Sequence, residues 1–107
     1  MKLLDRRLPD GSRHFARLSI APWAVVRDHV RLLQEAEVLN FVDDRAAMAW
    51  LDFSFRGHRF LIHNHGIHFH LSVRDPQCSD LILYHVGRHF EQLVETSGRK
   101  PWTGDIY

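Results

Sequence analysis

The sequence predicts a single α+β domain, in which an antiparallel β-sheet is covered on one face by two amphipathic helices. Three observations support this class. Residues 47–56 alternate between apolar and polar side chains with the period of two that is typical of a half-buried strand. Turns at Gly57 and Gly66 divide the strands that follow, and the segments 22–37 and 76–97 repeat apolar residues every three or four positions. We therefore expect a three-stranded meander joined by an N-terminal strand.

At the N-terminus, residues 1–12 end in turn-forming residues and are expected to form a loose arm. Residues 13–20 alternate in polarity and predict the first strand, although Ala16 interrupts the alternation. Pro22 suits the first turn of a helix. The spacing of the apolar residues after it predicts that this helix continues to Glu37.

The central strands are expected to be antiparallel neighbours. Residues 38–42 are short and apolar and predict either a brief strand or a packed connection. The strand at 47–56 has an apolar face that consists of Ala49, Leu51, Phe53 and Phe55. A two-residue turn at 57–58 would place Phe55 opposite Phe60, so that apolar side chains share one face.

The remainder of the chain is expected to complete the same domain. A second two-residue turn at 65–66 would place Ile62 opposite Phe69. The apolar stripe within 76–97 predicts the second helix. Residues 98–107 show no periodic pattern but contain aromatic side chains, so we expect this C-terminal tail to pack back onto the body. A chain of 107 residues is the size of one domain.

Histidines crowd the strands after the first turn and predict a candidate metal site. If the phenylalanines face the helices, the other face carries Asp52 opposite His63 and His63 opposite His68, with His70 in the next row. Two histidines and a carboxylate are a ligand set for zinc or another divalent transition metal. The competing interpretation is that these side chains are solvated or hydrogen-bonded surface groups, and that the protein holds no cofactor.

The same open face predicts an interaction surface. Met48, Trp50 and Leu61 project there among the polar groups, and aromatic and methionine side chains framed by polar groups are enriched at protein interfaces. The alternative is that the C-terminal tail, with Trp102, covers this face. We expect the partner to be another protein or a second copy of the chain.

Composition narrows the possible functions. A net charge of +1 is far from the strongly positive charge that is typical of nucleic-acid-binding domains. A nucleic-acid partner is therefore the less favoured hypothesis. The apolar runs are far shorter than the roughly 20 residues that cross a bilayer, and the charged N-terminus does not resemble a secretory signal. We therefore expect a cytoplasmic protein that does not contact a membrane.

The remaining reactive side chains are expected to have structural environments. His85 and His89 lie four positions apart on the second helix and are expected to form part of its exposed surface. His14 and His29 are isolated in sequence. Cys78, the single cysteine, is expected to be a buried thiol rather than a nucleophile.

Two functions follow from these patterns. The first is a small non-catalytic interaction domain that self-associates through the open sheet face. The alternative is a metal-binding protein or metal-dependent hydrolase that uses the cross-strand histidine and aspartate cluster. No residue is singled out as catalytic.

Overall fold

The computed structural model describes residues 2–19, 22–43, 49–65 and 68–96. In chain order the elements are β1 (Arg6–Arg7), β2 (Arg13–Ser19), α1 (Trp23–Val30), β3 (Ala36–Asp43), β4 (Ala49–Phe55), β5 (His58–His65), β6 (His68–Val73) and α2 (Asp80–Thr96). The strands form one antiparallel sheet in the order β1-β2-β6-β5-β4-β3. The α+β class is confirmed, whereas the prediction of a three-stranded meander plus one strand is wrong because the sheet has six strands.

The two additional strands lie at the edges of the sheet. β3 to β6 form a four-stranded meander, and β2 pairs with β6 on the far side from β5. The N-terminal arm at residues 1–12, which is predicted to be loose, is paired in part: β1 pairs with β2, and the Leu4 N–H donates to the Phe15 carbonyl at 2.9 Å. Gly11, at φ 90°, lies in the loop between β1 and β2.

The first helix is shorter than predicted. α1 begins after Pro22, as expected, but ends at Val30 instead of continuing to Glu37. Glu35 takes a left-handed φ of 72°, which turns the chain into β3. Three side chains of β3, Ala36, Val38 and Phe41, then pack against the core as part of an edge strand. Of the two alternatives predicted for residues 38–42, a brief strand or a packed connection, the strand is the one that forms, and it is longer than expected.

The alternation along β4 is confirmed. Its four apolar side chains are buried and its three polar or aromatic ones are half-buried. Both helices pack on the buried side, which we call the inner face, and Leu83, Val86 and Phe90 of α2 are almost inaccessible there. The core of this face includes Phe15, Leu51, Phe53, Phe55, Phe60, Ile62, Phe69, Leu71 and Val73.

The β4–β5 turn differs from the predicted turn by one position. It consists of Arg56 and Gly57, with φ of 51° and 81°, and it pairs Phe55 with His58. Two consecutive positive φ angles are characteristic of the type I′ turn, in which glycine is favoured as the second of the two central residues. The predicted turn had placed the glycine first, so the predicted pairing was wrong by two residues.

The β5–β6 register is shifted in the same way. Ile62 pairs with Leu71 rather than with Phe69, and His65 pairs with His68 across the end of the hairpin. A shift of two residues keeps every side chain on its predicted face but changes its neighbours on the next strand.

The second helix begins later than predicted. Residues 75–79 form a turn, in which the Gln77 N–H donates to the Asp75 carboxylate at 2.9 Å. The Ser79 hydroxyl oxygen then accepts the Leu81 N–H at 3.2 Å, the hydrogen bond of a helix N-cap. No helix in the described ranges is long and apolar enough to span a bilayer. Met48 and the tail at 98–107 lie outside the described residues.

Substitution of Gly57 tests the assignment of this turn. Space around its Cα is open, so Gly57→Ala should destabilise the fold through backbone strain alone, by about 1 kcal/mol. Gly57→Asn should cost less, because asparagine tolerates the left-handed conformation. Urea denaturation of both variants measures the difference, and equal losses for alanine and asparagine would contradict the assigned turn.

Candidate functional site on the outer sheet face

The face of the sheet opposite the helices, which we call the outer face, carries four histidines with described side chains: His14, His63, His68 and His70. The register assigns to it Arg6, His14, Arg17, Glu37, Asn40, Val42, Trp50, Asp52, Ser54, Arg59, Leu61, His63, His68, His70 and Ser72. Phe53 is fully buried against the helical layer, whereas His63 is half-buried on the outer side. The predicted division between phenylalanine and imidazole faces is therefore confirmed.

The predicted row of metal ligands does not form. Asp52 pairs with Leu61, and His63 pairs with Trp50 on one side and with His70 on the other. Because both hairpins are shifted by two residues, the predicted pairings of Asp52 with His63 and of His63 with His68 are wrong.

Three imidazoles instead form a continuous cluster around His70. The His70 Nδ1 and His14 Nε2 atoms are 3.1 Å apart, and the His63 and His70 rings stack with their centroids 5.2 Å apart. His68 meets His70 edge-on, at 6.2 Å between centroids. A hydrogen bond between two imidazole nitrogens requires one to donate and the other to accept, so His14 and His70 are not both protonated.

His14 is the member of this cluster that sequence reasoning missed. It lies next to the bulge between His14 and Ala16 in β2, where the alternation is interrupted. Its side chain is almost inaccessible, and burial lowers its pKa below the ordinary value of 6.5, assisted by the neighbouring Arg6 and Arg17. The interrupted pattern at Ala16 was a signal of the bulge, but the position of β2 beside β6 had no local signal.

The cluster does not supply a recognisable metal centre. Among the described residues, no group of three or more His, Cys, Asp or Glu side chains is arranged to hold a metal ion. Zinc sites in proteins use three or four protein ligands. Asp52, His63, His68 and His70 therefore gain no support as a ligand set from their geometry.

Charge is distributed unevenly over the molecule. Six of the ten described arginines form ion pairs with acidic side chains: Arg7, Arg13, Arg27, Arg31, Arg56 and Arg88. In the described part of the chain, the arginines outside these pairs are Arg6, Arg17, Arg59 and Arg74. Arg6, Arg17 and Arg59 project from the outer face, and Arg74 continues the same side of β6 at its end. The net charge near zero therefore does not show that the arginines outside these ion pairs are concentrated on one side of the sheet.

A second histidine pair, also missed in the sequence, joins the two helices. His29 Nε2 donates to the His89 carbonyl and His89 Nε2 donates to the His29 carbonyl, both at 2.6 Å. The rings stack at 4.0 Å. Burial lowers the pKa of His89. The prediction that His89 belongs to an exposed surface is wrong, whereas His85 is exposed and stacks on Phe55.

The single thiol has a structural environment, as predicted. Cys78 is 4% exposed and lies in the turn before α2. Burial raises the pKa of its thiol, with Asp75 adding to the effect. The nucleophilic thiolate is therefore disfavoured.

Comparison of the chain with protein-family models, with curated proteins and with solved structures gave no match.

The buried His14 and the half-buried His89 are expected to make the fold sensitive to acid. His14 and His89 have folded pKa values below the ordinary 6.5, so protonation favours the unfolded chain. Their contribution to stability is complete above about pH 6.5 and is lost as the pH falls through the lowered folded values. Replacing both, as His14→Asn with His89→Gln, should reduce the loss of unfolding free energy between about pH 7.5 and about pH 5.

Urea denaturation at the two pH values measures this difference. His58→Gln, on a half-buried side chain at the start of β5, is the matched control for the loss of a histidine as such. A double variant that keeps the full pH dependence of the parent protein would contradict the role of these two groups.

Proposed function

We propose that this protein is a small non-catalytic interaction domain that binds a second copy of itself through the outer face. The observation that carries the proposal is the placement of both helices on the inner face. Trp50 and Leu61 are thereby left half-buried on the opposite side, among polar groups. A mixed aromatic and polar surface of this kind is characteristic of protein interfaces.

The size of the outer face is compatible with a stable dimer. The molecule measures 32 × 30 × 29 Å along its principal axes. Five strands of six to eight residues, spaced about 4.8 Å apart and each about 24 Å long, give a projected area of about 600 Å², to which the two-residue β1 adds little. A standard interface takes about 800 Å² of accessible surface from each partner, which a face with projecting side chains approaches.

The charges of the outer face support a two-fold arrangement. Arg6 and Arg17 lie on the β1 and β2 side of the sheet, whereas Asp52 and Glu37 lie on the β4 and β3 side. A rotation axis parallel to the strands would place β2 of one copy over β4 of the other. The side of each copy that carries Arg6 and Arg17 would then lie over the side of the other copy that carries Asp52 and Glu37.

The environments of the reactive side chains support a non-catalytic role. Cys78 is buried with a raised thiol pKa, and His29 and His89 are hydrogen-bonded to each other's backbone carbonyls. His14 and His70 are engaged with each other. These contacts occupy the groups that would otherwise act as nucleophile or general base.

Substitution of Trp50 tests the proposal. Trp50→Ala should weaken the dimer at least tenfold, because truncation of a central interface tryptophan commonly costs 2 kcal/mol or more, about thirtyfold. Arg17→Glu should also weaken it, since it would place a negative charge over the side of the partner copy that carries Asp52 and Glu37. Sedimentation equilibrium over a range of concentrations measures the dissociation constant, and circular dichroism shows whether each variant is folded.

Leu81→Ala is the matched control, because Leu81 is a strongly exposed apolar residue of α2 on the other side of the molecule. It should leave the dissociation constant unchanged. A parent protein that stays monomeric at all concentrations, or a dimer that tolerates Trp50→Ala but not Leu81→Ala, would overturn the proposed interface.

A further inference from the structure

A polar cleft lies at the rim of the outer face, where β5 begins and β6 ends. Its volume is about 310 Å³, at the lower end of the range for small-molecule sites. It is lined by Asp10, Ser12, Asp52, Arg59, Phe60, Leu61, Ser72 and Arg74. The cleft shares Asp52 and Leu61 with the interface proposed above, so ligand binding is measured on dilute, monomeric protein and does not rest on that interface.

Two arginines from adjacent strands form the cationic part of the cleft. The Arg74 N–H donates to the Arg59 carbonyl at 2.9 Å, which fixes the two backbones side by side. Neither guanidinium forms an ion pair within the described part of the chain. Two forked donors side by side match the geometry of a carboxylate or another oxyanion.

The β4 side of the cleft carries an opposite charge that is also uncompensated. Asp52 pairs with Leu61, so it is a diagonal neighbour of Arg59 on the adjacent strand. Such diagonal residues lie about 7 Å apart on the same face of a sheet. Its half-buried carboxylate forms no ion pair or side-chain hydrogen bond with any described residue. The cleft therefore holds separated positive and negative groups that do not neutralise each other.

The β2 side of the cleft is preformed by the loop between β1 and β2. The Ser12 N–H and hydroxyl both donate to the Asp10 carboxylate, at 2.9 and 2.6 Å. The Leu8 N–H donates to the Ser12 carbonyl at 2.9 Å and closes the loop. The hydrogen bonds from Ser12 lower the pKa of Asp10, with a smaller effect from Arg74. This wall is anionic and is held by its own hydrogen bonds.

We propose that the cleft binds a small zwitterion of the amino-acid class. The ligand carboxylate binds between Arg59 and Arg74, and the ligand ammonium binds Asp52. Its apolar carbons lie over Leu61 on the floor. A ligand that carries both charges neutralises both sets of groups, whereas a simple anion leaves the Asp52 carboxylate close to its own negative charge.

Three matched probes test the proposal: L-leucine, 4-methylpentanoate, which lacks the amino group, and 3-methylbutylamine, which lacks the carboxylate. Titrations followed by amide chemical shifts should show leucine perturbing residues 59, 61, 72 and 74. Each single-charge analogue should bind at least tenfold more weakly. Arg59→Gln should weaken leucine binding at least tenfold, and Asp52→Asn should remove the preference for leucine over 4-methylpentanoate.

Arg31→Gln is the control, because Arg31 lies at the end of α1 on the helical side of the molecule and does not line the cleft. It should leave leucine affinity within twofold, and the amide spectrum of every variant reports whether it is folded. The proposal is overturned if leucine and 4-methylpentanoate bind the parent protein equally, if no probe perturbs the cleft residues, or if Arg31→Gln weakens binding as much as Arg59→Gln.

Discussion

The packing of phenylalanines from β4 and β5 against α2 is the interaction on which the rest of the structure depends. Phe53 stacks on Phe60 with ring centroids 5.2 Å apart and meets Phe90 of α2 at 6.0 Å. Burying each such side chain contributes about 2 to 3 kcal/mol. A register slip of one residue would exchange this face for the imidazoles, so the core dictates which side chains form the outer face.

This constraint explains what could be predicted from the sequence. Alternation in β4 predicts which residues are buried, and that prediction is confirmed from Ala49 to Phe55. The alternation does not predict which residues pair across the strands, because shifting one strand by two residues leaves the same side chains buried. The hairpin was assigned with Gly57 in the first turn position, whereas Arg56 adopts a positive φ and moves Gly57 to the second. That difference separates Asp52 from His63, and the matching shift between β5 and β6 separates His63 from His68.

The features that sequence reasoning missed all depend on contacts between distant segments. His14 meets His70 because β2 inserts beside β6, and no local pattern specifies that strand order. His29 and His89 meet because α1 and α2 cross on the inner face. The overall charge of +1 was equally uninformative, since it does not reveal that the unpaired arginines among the described residues share one side of the sheet. The composition gives only the number of charged side chains, whereas a binding surface depends on where the fold places them.

The central claim is that the two sides of the sheet are chemically distinct and that only the outer one is accessible to a partner. Adjacent cysteines on β5 test it most directly, in a background where Cys78 is replaced by alanine. Leu61→Cys should react rapidly with a maleimide in dilute native protein and more slowly as the concentration rises, whereas Ile62→Cys, at a site that is 1% exposed, should stay protected at every concentration. Equal reactivity of the two positions in folded protein would contradict the account.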